Sequence, residues 1–283
     1  MRIFKQIKDI KEYLAQLKEK RGQVAFVPTM GFLHEGHLSL IEKAKNEAKI
    51  VVVSIFVNKI QFNKQEDFDN YPASLDLDIK KLQNKGADIL FCPDENEIDL
   101  QNNLIDFNIG ELQHNLCGKY RENHFDGVVQ IVNRLFKIIN PDIAIFGEKD
   151  FQQLQIIRYF VKKSGSSLKI LSSPILRESN GLAMSSRNSR LSNKSLQNAV
   201  KIFKSLTLIK KYLLSLGEGL DISDFLQKKK KELEKTFEKV EYLKICIESD
   251  LKDIKTLNKS QDSRIFIAVY VEGVRLIDNI KLF

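Results

Sequence analysis

The sequence predicts an α/β protein in which a parallel sheet is flanked by helices and followed by a smaller α+β domain. Short apolar runs rich in β-branched residues alternate with helical patterns throughout the first half of the chain. This alternation is typical of β-α-β units, in which each helix carries the chain back so that successive strands run parallel. Beyond Pro174 the alternation stops, and helical patterns precede a closing group of strands. We therefore expect a boundary near Ser173, with domains at residues 1–173 and 174–283.

Six strands are expected in the first domain, each a short apolar run bounded by polar or turn-forming residues. They are Val24–Val27, Ile50–Val57, Ala87–Phe91, Ile105–Ile109, Ile143–Phe146 and Leu168–Leu171. Helical spacing predicts helices in the first twenty residues and at His37–Ala48, Ser74–Lys85, Gly127–Ile139 and Phe151–Lys163. Pro28, which has no N–H, is expected to end the pairing of the first strand. A polar loop is expected at residues 110–126.

The second domain is expected to begin with a loop at residues 177–188 and a long helix at residues 192–216. Gly217 and Gly219 stop that helix, and a second helix is expected at residues 223–238. Two or three strands then close the chain, at Tyr242–Glu248, Ile265–Val271 and Arg275–Ile280, with a turn at residues 272–273 between the last pair. These elements predict a small α+β unit.

The net charge of the chain is compatible with more than one class of binding partner. The chain is 283 residues long and 43% hydrophobic, and its 45 basic and 37 acidic residues give a net charge of +8. A positive balance suits nucleic acid as well as a polyanionic small substrate such as ATP. The run Lys228–Lys231 lies in a helical pattern with acidic neighbours and few aromatic residues. Such a run is more typical of a solvated helix face than of a groove for single-stranded nucleic acid.

The cysteine pattern and the N-terminal segment indicate a reducing compartment. Three cysteines lie far apart and form no C-x-x-C or Cys/His ligand spacing, so neither a disulfide framework nor a zinc site is predicted. They are Cys92, Cys117 and Cys246. The first twenty residues carry charge throughout, unlike a signal peptide, and no later segment approaches the length needed to cross a bilayer. We expect a cytoplasmic protein.

The most informative stretch, VAFVPTMGFLHEGHLSLI, passes from a buried strand through a glycine turn to a helix expected to start near His37. Free N–H groups and the positive end of that helix would face the sheet edge where phosphates bind. Gly31 and Gly36 have the spacing of a phosphate loop, but the Lys and Ser or Thr that it needs are missing. What remains is the H-x-G-H signature of nucleotidyl transfer, in which His34 and His37 donate to triphosphate oxygens. Helix capping by the histidines is the alternative.

Polar loops follow the other central strands, and the loops at Pro28, Asn58 and Gly147 are expected to share one cleft. The second loop offers carboxamides that both donate to and accept from a small hydroxy acid. The third offers Lys149 to neutralise phosphate. Two further polar segments, MSSRN at residues 184–188 and RENHFDG at residues 121–127, suit a triphosphate and a carboxylate respectively. Turn formation and helix capping are the alternatives for each.

Five segments in this order, PTMGFLHEGH, SIFVNKIQF, HFDGVVQIV, FGEKDFQQLQIIR and MSSRNSRLS, together resemble the pantothenate synthetase (pantoate–β-alanine ligase) family. The resemblance runs from about residue 24 to residue 192 and resumes in the tail at GVRLIDN. It implies a Rossmann-like catalytic domain that binds nucleotide and pantoate, with the smaller domain closing over the active site. The implied reaction condenses pantoate with β-alanine, using ATP and Mg²⁺, through a pantoyl-adenylate. A homodimer without nucleic-acid or membrane partners is implied by analogy.

The resemblance also implies roles for individual residues. Those implied to be catalytic, with His37 as the usual proton donor, are His34, His37, Lys149 and Arg187. Those implied to bind ATP are Met30, Gly31, Phe32, Leu33, His34, Glu35, Gly36, His37, Gly147, Glu148, Lys149, Asp150, Leu176, Met184, Ser185, Ser186 and Arg187. Those implied to bind pantoate or β-alanine are Asn58, Gln61, Tyr71, Arg121, His124 and Gln153. Asp76 and Asp78 are implied for the Mg²⁺ region, although acids at a helix start are also expected from the dipole alone.

Several positions depart from the family pattern within these loops. They are Lys59 in place of a proline, Ala73 in place of a basic residue, Glu122 and Asn123 in place of Pro-Gly, and Asn180 in place of an acid. None removes a principal catalytic group, so an active enzyme is expected. The alternatives are another H-x-G-H nucleotidyltransferase, for which Lys59 leaves room, and a basic nucleic-acid-binding protein, which would bind with a steep salt dependence.

Overall fold

The computed structural model describes residues 1–63 and 65–283, apart from the side chains of residues 20 and 21. The described chain divides into two compact units. The N-terminal unit comprises residues 1–109, 122–148 and 156–175, and the C-terminal unit comprises residues 110–121, 149–155 and 176–283. The domain boundary expected near Ser173 remains a prediction.

The N-terminal unit is built on a six-stranded parallel sheet in the order β1-β4-β3-β2-β5-β6. Its strands are β1 Arg2–Phe4, β2 Val24–Thr29, β3 Ile50–Ile55, β4 Ile89–Phe91, β5 Ile143–Gly147 and β6 Lys169–Ser173. The helices up to residue 163 are α1 Ile7–Arg21, α2 Glu35–Glu47, α3 Gln65–Asp69, α4 Leu75–Lys85, α5 Glu95–Ile98, α6 Leu116–Tyr120, α7 His124–Ile139 and α8 Phe151–Lys163. Of these, α6 and residues 151–155 of α8 belong to the C-terminal unit. The predicted α/β class with a parallel sheet is confirmed.

Both faces of this sheet are covered, which explains why its strands are apolar throughout. Ala25 and Val27 of β2 pack in one core with Ile41 and Ala44 of α2. Phe26 points the other way, and its ring packs edge-on against Phe136 of α7 with centroids 6.3 Å apart. Among the described residues no helix combines the length and apolar character needed to cross a membrane.

The C-terminal unit holds an antiparallel sheet in the order β7-β8-β9. Its elements are α9 Asn193–Ala199, α10 Lys201–Ser215, α11 Ser223–Leu233, β7 Lys239–Ile247, β8 Ser263–Val271 and β9 Val274–Lys281. Glu272 and Gly273 both have positive φ, 52° and 70°, as a two-residue hairpin turn requires. This confirms the predicted turn. The helix expected at residues 192–216 is instead two helices that meet at Val200, and α11 ends five residues earlier than expected.

The strand expected at Ile105–Ile109 is absent, since the described chain has no regular element there. The side chain of Gln130 on α7 takes the place of a strand partner. Its Oε1 accepts from Ile105 N at 2.9 Å, and its Nε2 donates to Ile105 O at 2.8 Å. The backbone N–H and C=O of Ile105, which would have needed partners in a ladder, are therefore both satisfied by one carboxamide.

Two errors concern the strands at the start of the chain. Residues 2–4 form β1, which pairs with β4, where only a helix was expected. Pro28 does not end the pairing of β2, because Pro28 pairs with Ser54 and Thr29 with Ile55. Thr29 O accepts from Phe56 N on the β3 side, so by alternation Pro28 faces β5, whose pairing with β2 ends at Phe26. The missing N–H therefore costs no ladder hydrogen bond.

Candidate active site

The C-terminal ends of three neighbouring strands bring the first candidate residues to one edge of the parallel sheet. Strand β2 lies between β3 and β5, so the segments that follow Thr29, Ile55 and Gly147 leave from the same edge. These loops therefore leave the sheet at one edge, as expected, and a cleft shared by all three stays a prediction. The edge carries Met30–His37, the Asn58–Gln61 segment and Gly147, and it is where sheets of this class bind ligands.

The turn between β2 and α2 has a left-handed backbone conformation, and side chains of α4 stabilise it through hydrogen bonds. Gly31 and Phe32 have φ of 80° and 49°, a conformation that costs a bulky residue energy and persists only where neighbouring contacts enforce it. Asp78 of α4 enforces it, because its Oδ2 accepts from Phe32 N and its Oδ1 from Leu33 N, each at 2.7 Å. Lys81, one helical turn further along, donates to Leu33 O at 2.6 Å. The loop is therefore fixed before any ligand binds.

Asp78 is 1% exposed, and both of its carboxylate oxygens accept short backbone hydrogen bonds. These contacts give Asp78 a structural role, and its assignment to the Mg²⁺ region stays a prediction. Asp76 is exposed in the first turn of the same helix. Within residues 1–63 and 65–283 no group of three or more His, Cys, Asp or Glu is arranged to hold a metal ion.

The two histidines of the H-x-G-H segment cap α2, which begins at Glu35 rather than near His37 as predicted. His34 Nδ1 accepts from Gly36 N at 3.1 Å, and His37 Nδ1 accepts from His34 N at 3.3 Å. The ring centroids lie 4.1 Å apart. The capping alternative is therefore realised, and it does not exclude catalysis. An Nδ1 that accepts a hydrogen bond carries no proton, so the network assigns each neutral ring its proton on Nε2.

The Asn58–Gln61 segment packs closely against α7. It forms a 3-10 helix at Lys59–Gln61, and Gln61 Nε2 contacts Met30 Sδ. A Cβ on Gly127 would lie 2.7 Å from Ile60 O and 3.0 Å from Gln61 Cα, so only glycine permits this approach. The sequence analysis placed Gly127 in two motif segments and at the start of a predicted helix, but it did not predict this packing role.

Asn58 and His124 also hold the Gln61 segment. Asn58 is 2% exposed, and its Nδ2 donates to Gly127 O at 3.0 Å and to Gln61 Oε1 at 3.3 Å. His124 is 8% exposed, and its Nδ1 lies 2.7 Å from Gln61 O. Tyr71 packs edge-on against Phe62. Contact of these three side chains with substrate stays a prediction, whereas their support of the segment is observed.

Candidate residues that follow β5 fall in both units. Gly147 pairs with Ser173, and Glu148 Oε1 accepts from Ser172 Oγ at 3.0 Å within the N-terminal unit. In the C-terminal unit Lys149 Nζ lies 3.8 Å from Asp150 Oδ2, and Gln153 is half-buried on α8. Its neighbour Gln152 is buried and donates to two backbone carbonyls, those of Leu112 and Asn115.

Residues 176–190 form a folded loop of the C-terminal unit. Met184 N donates to Leu176 O at 3.1 Å, which closes the loop at its base. Ser185 then caps a 3-10 helix at Ser186–Arg190, because its Oγ accepts from Arg187 N at 3.2 Å. The Leu176 side chain is 40% exposed, whereas Ser186 is buried. Burial and the Glu241 carboxylate raise the pKa of Tyr270, and the positive charge of Arg121, at the end of α6, opposes this rise.

Two departures from the family pattern are accommodated by the backbone. Asn123 stands where glycine was expected and has φ 57°, a left-handed conformation that asparagine adopts more easily than most side chains. Asn180 stands where an acid was expected, and its Oδ1 accepts from Leu182 N at 3.0 Å, as a carboxylate oxygen would. The substitutions at these two positions are therefore compatible with the turn conformations observed there.

A parallel sheet with a histidine-capped helix start at its C-terminal edge defines a Rossmann-like, nucleotide-binding class of enzyme. The family model described as "Pantoate-beta-alanine ligase" matches residues 2–281. The chain therefore belongs to the pantoate-beta-alanine ligase family.

Relatives agree with this assignment over their full length. A pantothenate synthetase of Cytophaga hutchinsonii is 43% identical, with 98% of this chain and 97% of the relative covered. The pantothenate synthetase of Aquifex aeolicus is 41% identical, with 99% and 98% covered. The crystal structure of a pantothenate synthetase from Thermus thermophilus has a TM-score of 0.90 at 33% identity, covering 100% of both chains. A Francisella tularensis pantoate-beta-alanine ligase, solved with "Beta-gamma ATP and Beta-alanine", has a TM-score of 0.82 at 36% identity, covering 100% and 98%.

Replacing Asp78 by Asn should destabilise the protein, because the new NH₂ group faces a backbone N–H that needs an acceptor. We expect a loss of about 1–3 kcal/mol in the free energy of unfolding, measured by urea denaturation. Asp76→Asn removes an exposed carboxylate from the same helical turn. It should change the free energy of unfolding by less than about 0.5 kcal/mol. Equal effects of the two variants would contradict the anchoring role of Asp78.

Gly127→Ala should also destabilise the protein, because its methyl group meets backbone atoms that cannot move independently of the Gln61 segment. The expected loss is about 1–3 kcal/mol, as for other overpacked sites. Gly217→Ala is the matched control, since a Cβ there meets nothing within 4 Å. Thermal unfolding of both variants measures the difference, and an unchanged melting temperature for Gly127→Ala would show that α7 and the segment are not in such close contact.

Proposed function

We propose that this protein condenses (R)-pantoate with β-alanine, using ATP, to give pantothenate, AMP and pyrophosphate in the biosynthesis of vitamin B5 and coenzyme A. The observation that carries the proposal is the family match along residues 2–281, which includes every motif loop. The ATP analogue and β-alanine named for the Francisella tularensis structure support the same substrates here. A histidine-capped helix start at the sheet edge suits the triphosphate.

In the first half-reaction a pantoate carboxylate oxygen attacks the α-phosphorus of ATP. The bond from that phosphorus to the bridging oxygen breaks, and pyrophosphate leaves with the electron pair. Negative charge builds on the phosphoryl and leaving oxygens, and donors aimed at that charge lower the barrier. We assign this role to Nε2–H of His34 and His37 and to the cations of Lys149 and Arg187. Pyrophosphate leaves as an anion, so hydrogen-bond donation from the rings suffices.

In the second half-reaction the β-alanine amine attacks the acyl carbon of pantoyl-adenylate, and AMP leaves. The mixed anhydride is already a good acylating agent, so the enzyme mainly orients the amine and excludes water. We assign pantoate binding to Gln61 and Gln153. Asn58, Tyr71, Arg121 and His124 complete the proposed substrate-binding set.

The residues proposed to bind ATP are Met30–His37, Gly147–Asp150, Leu176 and Met184–Arg187. Mg²⁺ is proposed to arrive with the nucleotide. Magnesium ions in nucleotide sites are commonly held by phosphate oxygens, waters and one or two carboxylates rather than by a full protein cage. The donor set fits this mode, because Asp76 is exposed at a helix start while both oxygens of Asp78 are occupied. Bound there, the ion would neutralise charge on the phosphates.

Assembly and location complete the proposal. We propose a homodimer in the cytoplasm, which analytical ultracentrifugation and cell fractionation would check. The three cysteines are buried free thiols, in keeping with a reducing compartment.

Lys59 had left room for the alternative function, an enzyme that acts on a phosphorylated substrate. Its ammonium lies 5.8 Å from the centre of the Phe68 ring. Among the contacts described for the motif loops, none favours transfer to a phosphorylated substrate or nucleic-acid binding over the ligase reaction.

Pyrophosphate release from ATP with Mg²⁺ tests the function directly. With pantoate alone we expect at most one equivalent of pyrophosphate per active site, because the adenylate stays bound. Adding β-alanine should start continuous turnover, with AMP and pantothenate formed in equal amounts. No release with pantoate, although the protein binds ATP, would exclude this acid as the substrate.

Substituting His34 separates capping from catalysis. Asparagine is a favoured N-cap residue, so His34→Asn should keep the melting temperature while removing the Nε2–H donor. We expect pyrophosphate release to fall by about 10²–10³-fold, as for loss of one transition-state donor. His34→Ala loses the cap as well and should cost about 1 kcal/mol of stability. If His34→Asn kept full activity, the imidazole of His34 would have only the capping role and no role in catalysis.

A further inference from the structure

The tail segment GVRLIDN, part of the family resemblance, has no role in the reaction described so far. It ends in two adjacent side chains of β9, Asp278 and Asn279, which are 3% and 2% exposed. Buried polar side chains are costly unless they are hydrogen-bonded. Successive side chains of a strand point to opposite faces of its sheet, so these two reach different segments. Both segments carry residues proposed to bind ATP.

Asp278 holds the loop that contains Leu176 and Met184. Its two carboxylate oxygens accept from Arg177, Nη1 to Oδ2 at 2.7 Å and Nη2 to Oδ1 at 3.0 Å. The same guanidinium donates to Gly181 O at 3.1 Å and lies 3.8 Å from the centre of the Phe203 ring. A bidentate pair of this kind fixes direction as well as distance. Residues 176–184 are therefore tied to β9 through one arginine.

Asn279 holds Lys149 through the backbone. Its Nδ2 donates to Lys149 O at 3.1 Å, while its Oδ1 accepts from Arg264 Nη1 at 2.7 Å. Arg264 is itself fixed by Glu248, whose Oε1 accepts from Nε at 3.0 Å, and by the Phe151 ring, whose centre lies 4.1 Å away. One partner only donates and the other only accepts, so the amide has a single orientation that satisfies both.

We propose that Asp278 and Asn279 are positioning residues for ATP, which set the Leu176–Arg187 loop and Lys149 in their binding geometry from one strand. The inference rests on the proposed function, which assigns those residues to the nucleotide. Neither side chain needs to touch ATP. Misplacement of a binding group by about 1 Å is enough to lower catalysis about 10²-fold, so rigid support of this kind has a measurable effect.

The chain offers a matched control for the Asp278 pair. Arg275, also on β9, pairs with Glu241 of β7 at 2.7 Å. Side-chain exposures are 16% and 4% for this pair, against 18% and 2% for Arg177 and Asp278, which are also 2.7 Å apart. None of the contacts described for Glu241 involves a residue proposed to bind ATP. Because the charge of Arg121 influences the pKa of Tyr270, a hydrogen-bond partner of Glu241, the control is measured with ATP and not with pantoate.

The first experiment compares Asp278→Asn with Glu241→Gln in the full-length protein. Each replaces one buried carboxylate by a carboxamide, so both should lower the melting temperature by similar amounts. Binding of a non-hydrolysable Mg·ATP analogue is measured by titration calorimetry. We expect Asp278→Asn to weaken this binding about 10–100-fold and Glu241→Gln to leave it within about twofold of wild type.

The second experiment isolates the contact with Lys149. Asn279→Asp keeps an acceptor for Arg264 but places an oxygen against Lys149 O, where a donor is needed. We expect weaker binding of the analogue in the wild-type background. In a Lys149→Ala background the same substitution should add little, because the side chain that it positions is gone. A simple charge effect of the new carboxylate would persist in both backgrounds.

Two results would overturn the inference. One is equal binding of the analogue by Asp278→Asn and Glu241→Gln, together with additive effects of Asn279→Asp and Lys149→Ala. The other is a wild-type protein that does not bind the analogue at all. The proposed function fails differently, through a wild-type protein that binds ATP but releases no pyrophosphate with pantoate.

Discussion

The two hydrogen bonds from Phe32 and Leu33 to Asp78 are the constraint on which the nucleotide end of the N-terminal unit depends. They hold a left-handed turn directly after β2, and that turn decides where α2 begins. With the turn fixed, the first residues of α2 and its two histidine caps lie at the C-terminal edge of the sheet. The carboxylate of Asp78, which the family resemblance implies for the Mg²⁺ region, thus also sets the geometry of the backbone.

The C-terminal unit applies the same principle with side chains further apart in the chain. Lys149 lies in a single turn of 3-10 helix, and residues 176–190 form a loop that ends in another. Each is attached to β9 by a buried hydrogen-bonded group. Fully satisfied buried polar networks specify one arrangement, because every alternative leaves a group unpaired. Strand β9, at the edge of the antiparallel sheet, therefore also fixes the position of residues 176–190 and of Lys149.

The sequence was sufficient for the parallel sheet, the loops at its edge and the family, because these depend on local periodicity and on short motifs. It was insufficient wherever a distant partner decides the structure. Ile105–Ile109 is apolar enough for a strand, but the backbone of Ile105 bonds instead to Gln130, twenty-five positions later. Residues 2–4 form β1 by pairing with residues 89–91 of β4, which are distant in the sequence. Gly127, Asp278 and Asn279 lay within quoted motifs, but their roles depend on contacts that no spacing encodes.

The histidine caps also limit the chemistry of the two rings. While each Nδ1 accepts a backbone N–H, a neutral imidazole has a proton and no lone pair on Nε2, which can then act only as a donor. Such a ring attracts phosphate and carboxylate oxygens, and it has no basic site for an ammonium proton. In the proposed reaction β-alanine must lose a proton before its nitrogen can attack. With the caps intact, that proton must pass to water, to a phosphate oxygen or to another side chain.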